Sequence, residues 1–329
     1  MMFSGDIDRR RVLLGGLAGL LLPRVARAGG DTAPGKIPRP EIAFRVPEAD
    51  PRTGDLVQAV SQPRIRADID ALTAFPTRWS EAPEFGAVED WVAQAMQGAG
   101  RPVLRQGFAL PSGTARNNIL SGDPATGRGV IVVGAHVDSM SERPGELAPG
   151  ANDNASGVAA LLEAQRVLSG HAFGRAIVYV VFSGEEQGLA GSTAAARIAA
   201  REGWPVELMI NLDMLGSRVS EPTVPLFIEY DQGNATPAND RAARAYAGMA
   251  AELAAVHTGL STVFTDIWDS DYMPFEAQGY AAMGFYDGGA QRPEFHTTRD
   301  LPGLLDLSRL AEVTRLLVAT VATAADLSP

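Results

Sequence analysis

The chain has 329 residues, 46% of them hydrophobic, with 35 glycines, 22 prolines and a formal net charge of −11. That length suffices for one large domain or two small ones, and nothing in the composition points to disorder throughout. The absence of cysteine excludes a disulfide framework and a thiol nucleophile, so any metal site must draw on His, Asp and Glu, and the acidic balance argues against nucleic acid or an anionic membrane as partner.

Residues 1–28 read as an export signal. Arg9, Arg10 and Arg11 make a positive start, "VLLGGLAGLLL" is the apolar segment, and Ala26-Arg27-Ala28 is a small-residue cleavage signal. The apolar run falls short of the ~20 residues needed to span a bilayer, so no stable membrane anchor is expected. Arg9-Arg10 followed by Val12-Leu13 resembles a twin-arginine signal; the alternative is an ordinary secretory signal with an extra arginine. Either way the expected location is periplasmic or secreted. Residues 29–62 are rich in Pro, Gly and charge, and read as an extended arm or a loose tail.

Residues 63–329 carry globular patterning and are expected to form one domain. "PEFGAVEDWVAQAMQGAG" places Val88, Trp91, Val92 and Met96 at helical spacing and closes on glycines. "GVIVVGAH", "RAIVYVVF", "ELMINLDM" and "AAMGFY" are short apolar runs rich in β-branched residues, as in strands buried on both faces. Between and after them lie Ala/Leu-rich helical stretches at 156–168, 189–201, 238–255 and 307–322. Strands alternating with helices predict an α/β domain with a mostly parallel, mixed central sheet and helices on both faces.

Sites in such sheets sit at the carboxyl ends of the strands. There the apolar runs end in His136 and Asp138, in Glu185 and Glu186, and in Asp213, while Asp153 precedes a helix and His296 follows the last strand. Taken singly each has an ordinary use; Asp153, for example, suits a helix cap. As a set they converge on one sheet edge, where so many carboxylates would repel each other without cations. The adjacent Glu185 and Glu186 would point to opposite sides of an extended segment. One can then ligate a cation while the other acts as general base on a neighbouring water. His171 and His257 are taken as surface histidines.

The pieces "GAHVDS", "GANDNASGV", "FSGEEQGLAGS", "NLDM" and "FHTTRD", in that order, resemble the co-catalytic zinc aminopeptidases of the bacterial leucyl aminopeptidase type. "LTAFPTRWS" and "NNILSG" upstream are similar to the same family's amino-terminal part. The resemblance implies a zinc-exopeptidase fold, two Zn2+ ions or other divalent cations such as cobalt or manganese, and a peptide substrate with a free N-terminus. It implies that Asp153 bridges the metals, that His136 and Asp213 complete one site, and that Glu186 and His296 complete the other. Glu185 would be the general base, and the Asp138 carboxylate would accept a hydrogen bond from His136. The family often has Ser-Asp-His before its last strand; here Tyr272 follows Ser270-Asp271, which leaves Asp271 a supporting substrate role and Ser270 a helix cap. A glutaminyl cyclase, a binding protein on the same fold that has lost catalysis, and a carboxypeptidase of the same clan are the rival readings. The last would need Arg78, Arg218 or Arg292 near the site.

Overall fold

The runs at 130–136 and 176–182 are buried at every position, so both faces of these strands need a cover of helices. The computed structural model describes residues 50–100, 102–218, 224–233, 236–288 and 292–328; the expected export signal at 1–28 and the 29–49 part of the arm lie outside them. Its elements begin with helices α1 (Pro51–Gln58), α2 (Gln62–Thr73) and α3 (Phe85–Gln97), then strands β1 (Val103–Ala109), β2 (Ala115–Ser121) and β3 (Val130–His136). They continue with α4 (Ser156–Leu168), β4 (Ala176–Phe182), α5 (Ala190–Glu202), β5 (Val206–Asp213), β6 (Leu226–Tyr230) and α6 (Asp240–His257). Last come β7 (Thr262–Thr265), α7 (Tyr272–Ala277), β8 (Ala282–Tyr286) and α8 (Leu307–Ala324).

The eight strands form one sheet in the order β1-β2-β4-β3-β5-β8-β6-β7. Strands β4, β3, β5 and β8 run parallel, while β2 and β6 join that group antiparallel on its two sides. The sheet is therefore mixed with a parallel centre, as the alternating pattern predicts. Side chains alternate across it. Ile131, Val133 and Ala135 pack among α1, α2, α3, α4, α6 and α8 on one face, and Val130 and Val132 pack with Ala195, Ala196 and Phe275 of α5 and α7 on the other. Each fully buried Val or Ile of this kind contributes about 1.5–3 kcal/mol.

The expected extended arm is corrected where it is described. Residues 51–58 form α1 and Gln62 opens α2, and both helices are docked by Leu56, Val57, Ile65 and Ile69 in the core. Within 50–63 the Pro and charge content belongs to helix starts. Asp50 caps α1 by accepting from the Arg52 backbone N–H, Ser61 caps α2 through the Arg64 N–H, and each helix has a proline in its first two positions.

Register fixes the site. His136 lies opposite Phe182, Gly134 opposite Asn211, and Asp213 opposite Tyr286. The ends of β3, β4, β5 and β8 therefore meet at one carboxyl edge.

Candidate metal centre

Five segments deliver the side chains. His136 ends β3, Asp213 ends β5, Glu185 and Glu186 follow β4 after Ser183-Gly184, Asp153 sits in the turn Ala151–Ala155 that leads into α4, and His296 lies in the loop after β8. The turn needs a glycine at its head. Gly150 has φ +50°, and a Cβ there would collide with the Asp153 carbonyl and sit 2.9 Å from Arg78 Nη2. Three non-glycine residues with positive φ belong to the same loops: Leu189 at 59°, Met214 at 47° and His296 at 53°. Such backbone persists where the surrounding structure over-determines it, as at functional sites.

Asp153 faces two ways. Its Oδ1 is 3.3 Å from His136 Nε2 and its Oδ2 is 3.1 Å from His296 Nε2. Asp213 Oδ1 completes the first group, 3.4 Å from His136 Nε2, and Glu186 Oε2 completes the second, 3.2 Å from His296 Nε2. Within each triplet every ligand atom is within 4.8 Å of the others. The His136 Nδ1 lies 3.1 Å from the Asp138 backbone carbonyl, which can only accept, so Nδ1 carries a proton and the Nε2 lone pair faces two carboxylate oxygens. Three acceptors converging on one point call for a cation or a proton between them. Glu186 Oε1 is also buried without a hydrogen-bond partner among the described residues.

The field of the cluster is strongly negative. Burial alone would lower the His136 imidazole, but Glu185 and Asp213, with Asp138 and Asp153, raise it well above its ordinary 6.5. Burial likewise opposes a shift of His296 that Asp153 and Glu186 drive up to about 10. Asp153 stays below the ordinary carboxylate range despite its burial, because both imidazoles hydrogen-bond to it. Burial, reinforced by Asp153, lifts Glu186 to about 7; burial, reinforced by Glu186, Asp271 and Asp213, raises Glu185 well above 4.5. Groups that draw protons onto neighbouring imidazoles this strongly suit a divalent cation, and the mixed imidazole and carboxylate donors suit zinc.

Other residues hold these groups in place. The Asp138 carboxylate, expected on His136, has its Oδ1 3.7 Å from Nδ1 and helps to raise that imidazole's pKa, and it also binds the loop after β4. Oδ1 and Oδ2 accept the backbone N–H groups of Glu185 and Glu186 at 3.2 and 3.1 Å. Asp138 therefore sets the Glu185-Glu186 loop, and His136 is oriented by the backbone carbonyl. The Asp300 carboxylate accepts the N–H groups of Asn152 and Asp153 and so aims the Asp153 turn. Ser270 makes no capping bond to α7; its Oγ donates to Asp213 Oδ2 at 2.7 Å while accepting from Asn211 Nδ2. Arg78 has no exposed surface, and its guanidinium donates to the carbonyls of Val137, Leu72, Pro149 and Gly150. It braces two of the loops and is not available to a substrate.

Beside Asp153 opens a cavity of about 310 Å³ whose wall includes Met214, Phe295, Leu304 and Leu305 together with Arg218 and Arg292. Asp271, expected in a substrate role, is fully buried and is not part of that wall; its carboxyl is pushed up to about 7 by burial. Tyr272 is in the core with its hydroxyl on Glu229, Trp268 is half exposed, and Tyr286 stacks on Phe227 at 5.8 Å. Exposed His171 and half-buried His257 stand outside both triplets.

Comparison with known proteins follows the same lines. The chain is 34% identical over 200 residues to a Pyricularia oryzae protein named "Probable zinc metalloprotease", a match covering 54% of this chain but only 39% of that one. It is 27% identical over 280 residues to a "Probable leucine aminopeptidase" of Arthroderma benhamiae, covering 80% of this chain and 73% of the relative. Its fold matches the Legionella pneumophila LapA aminopeptidase with a TM-score of 0.74 at 20% identity, over 89% of this chain and 80% of the other. The profile of Peptidase family M28 matches residues 118–321. That span is most of the chain and holds both triplets, and by it the chain belongs to peptidase family M28.

Proposed function

We propose that the chain is an aminopeptidase that hydrolyses the N-terminal peptide bond of peptides, using two zinc ions. The observation that carries this reading is the divided Asp153 carboxylate, with one oxygen beside each imidazole and a further acid completing each triplet. His136, Asp153 and Asp213 would hold one ion; Asp153, Glu186 and His296 would hold the other. Bound there, zinc supplies Lewis acidity that polarises the scissile carbonyl and acidifies water. Glu185, the acid outside both triplets, takes the proton of the attacking water and returns it to the departing amine as the C–N bond breaks. The cavity beside Asp153 takes the substrate side chain. Residues 1–28 direct export, by the twin-arginine route if Arg9 and Arg10 are read by it.

Arg218 and Arg292 on the cavity wall favour a second reading, a carboxypeptidase that grips a terminal carboxylate. A glutaminyl cyclase remains the third. One panel separates them: aminoacyl amides with free and acylated amines, acylated dipeptides with free carboxylates, and N-terminal glutaminyl peptides. We expect only free-amine substrates to be cleaved, with release of the free amino acid. Cleavage of acylated dipeptides would make it a carboxypeptidase, and cyclised glutamine a cyclase. Glu185→Gln should keep its metal and lose on the order of 10²–10⁴ in kcat; normal turnover would exclude Glu185 as base. Replacing Arg9 and Arg10 by Lys should retain precursor inside the cell, and unchanged export would exclude the twin-arginine route.

A further inference from the structure

A third group of carboxylates lies at the other edge of the sheet. β6 runs antiparallel to β8, with Phe227 opposite Tyr286 and Tyr230 opposite Met283. Because Asp213 also pairs with Tyr286, the chain leaves β6 at the edge away from the metal centre. There Asp231 follows β6, Asp240 opens α6, and Glu276 lies near the end of α7. One carboxylate oxygen from each falls within 4.8 Å of the other two.

Two of the three acids have an ordinary local role. Asp231 accepts the backbone N–H groups of Gly233 and Thr236. Asp240 sits in the first turn of α6, where a negative charge is favoured by the helix dipole. Glu276 has no such use. It is 1% exposed, and both of its carboxylate oxygens are buried; the side chains of Thr236, Asp231 and Asn239 face them, but none completes a well-formed hydrogen bond to them. Asp240 Oδ1 is buried and without one as well. Asn239 Nδ2 donates to the carbonyls of Glu276 and Tyr280, at 3.4 and 2.5 Å, and so fixes the start of α6 against the end of α7. A buried carboxylate aimed at two others is strongly unfavourable without a counter-charge.

We propose that Asp231, Asp240 and Glu276 bind a hard divalent cation, calcium, at a site separate from the catalytic centre. The donors are all oxygen, which excludes a preference for zinc and suits calcium, whose six to eight ligands are completed by carbonyls and water. The cation joins the ends of β6, α6 and α7. α7 follows Ser270, whose hydroxyl holds Asp213, so the site also stiffens one support of the catalytic centre. The assignment does not depend on the aminopeptidase reading, because none of the three acids belongs to either catalytic triplet.

The test uses the full chain, stripped of metal and then saturated with zinc. Calcium chloride is titrated in while heat of binding and Tm are followed, with magnesium chloride as comparator. One calcium should bind and raise Tm by about 5 °C near saturation, with a smaller rise for magnesium. Glu276→Gln and Asp240→Asn relieve the repulsion. Each should be at least as stable as the parent without calcium and should lose the calcium-dependent rise. The same response in a His136→Ala chain would separate this site from the catalytic one. No calcium heat and no Tm change in the parent, or an undiminished response in both variants, would overturn the proposal and leave carboxyls that share a proton.

Discussion

In the proposed two-ion site Asp153 would serve both cations only while its carboxylate stands between the imidazoles, and Asp300 controls that. Its oxygens hold the N–H groups of residues 152 and 153 at 2.9–3.0 Å, so the turn cannot rotate without losing them. An amide offers only one acceptor oxygen in place of two. Asp300→Asn should therefore weaken zinc binding about 10- to 100-fold while the fold persists, as read by competition with a chromophoric chelator. Ser270→Ala, which removes a single bond to Asp213, should cost less, about tenfold. An unchanged affinity in both variants would show that the ligands need no such support. The candidate ligands His136, Asp213 and Glu186 were legible because each stands at or just after an apolar strand run; Asp153 and His296 lie in loops and were legible through the motifs around them. Asp300, Ser270 and Arg78 were not legible as supports. Their partners are backbone groups or acids far away in the chain, and no spacing rule brings Asp300 to residue 153 or Arg78 to residue 150. Asp138 was singled out beside His136, where its carboxylate lies 3.7 Å from Nδ1; its two bonds to the Glu185 and Glu186 N–H groups were not legible.

At the scale of elements, α4 and α8 were readable because long apolar faces mark them, and Ser156–Leu168 is reproduced at both ends. β1 and β7 were not. β1 is half exposed along its whole length and β7 has four residues on the edge of the sheet, so neither shows the continuous apolar run of a central strand. α1 and α2 were hidden by their prolines, although Asp50-Pro51 and Ser61-Gln62-Pro63 are themselves start signals. Their docking depends on one buried acid. Glu163 of α4 has a fully buried side chain and accepts from the Ser61 backbone N–H and from Arg64 Nε and Nη2. Glu163→Ala should cost about 2–3 kcal/mol in urea unfolding, since Arg64 is half exposed and can return to water. It should also open 51–62 to protease first. The end of α6 near Asp50 adds a pH dependence. Burial lowers His257 below its ordinary 6.5, with Asp50 opposing. As pH falls through the region below 6.5 the unfolded chain gains a proton before the folded one, so this share of stability is lost on acidification. His257→Gln should lose less stability than the parent between about pH 7 and about pH 5.

For the whole molecule, the proposed catalytic cations would act as cross-links between distant parts of the chain. Their ligands come from the ends of β3 and β5, the turn before α4, the loop after β4 and the loop after β8. Unfolding separates all five, so zinc binds the native state alone and stabilises it by an amount that grows with free metal. About 4 kcal/mol is expected at a thousandfold excess over Kd. In a chain of this length that corresponds to about 6 °C in Tm. Removal of zinc by 1,10-phenanthroline, which leaves calcium in place, should lower Tm by about that much, and zinc should restore it where calcium does not. Glu185→Gln should show the full drop, because Glu185 stands outside both triplets. Glu186→Gln should show a smaller one, because it weakens one of them. A stripped protein that loses activity but keeps its Tm would mean that the native loops hold their positions without the cations. In that case the repulsion among Asp153, Glu186 and Asp213 is already neutralised by protons on His136 and His296, and the metals add chemistry without adding cohesion.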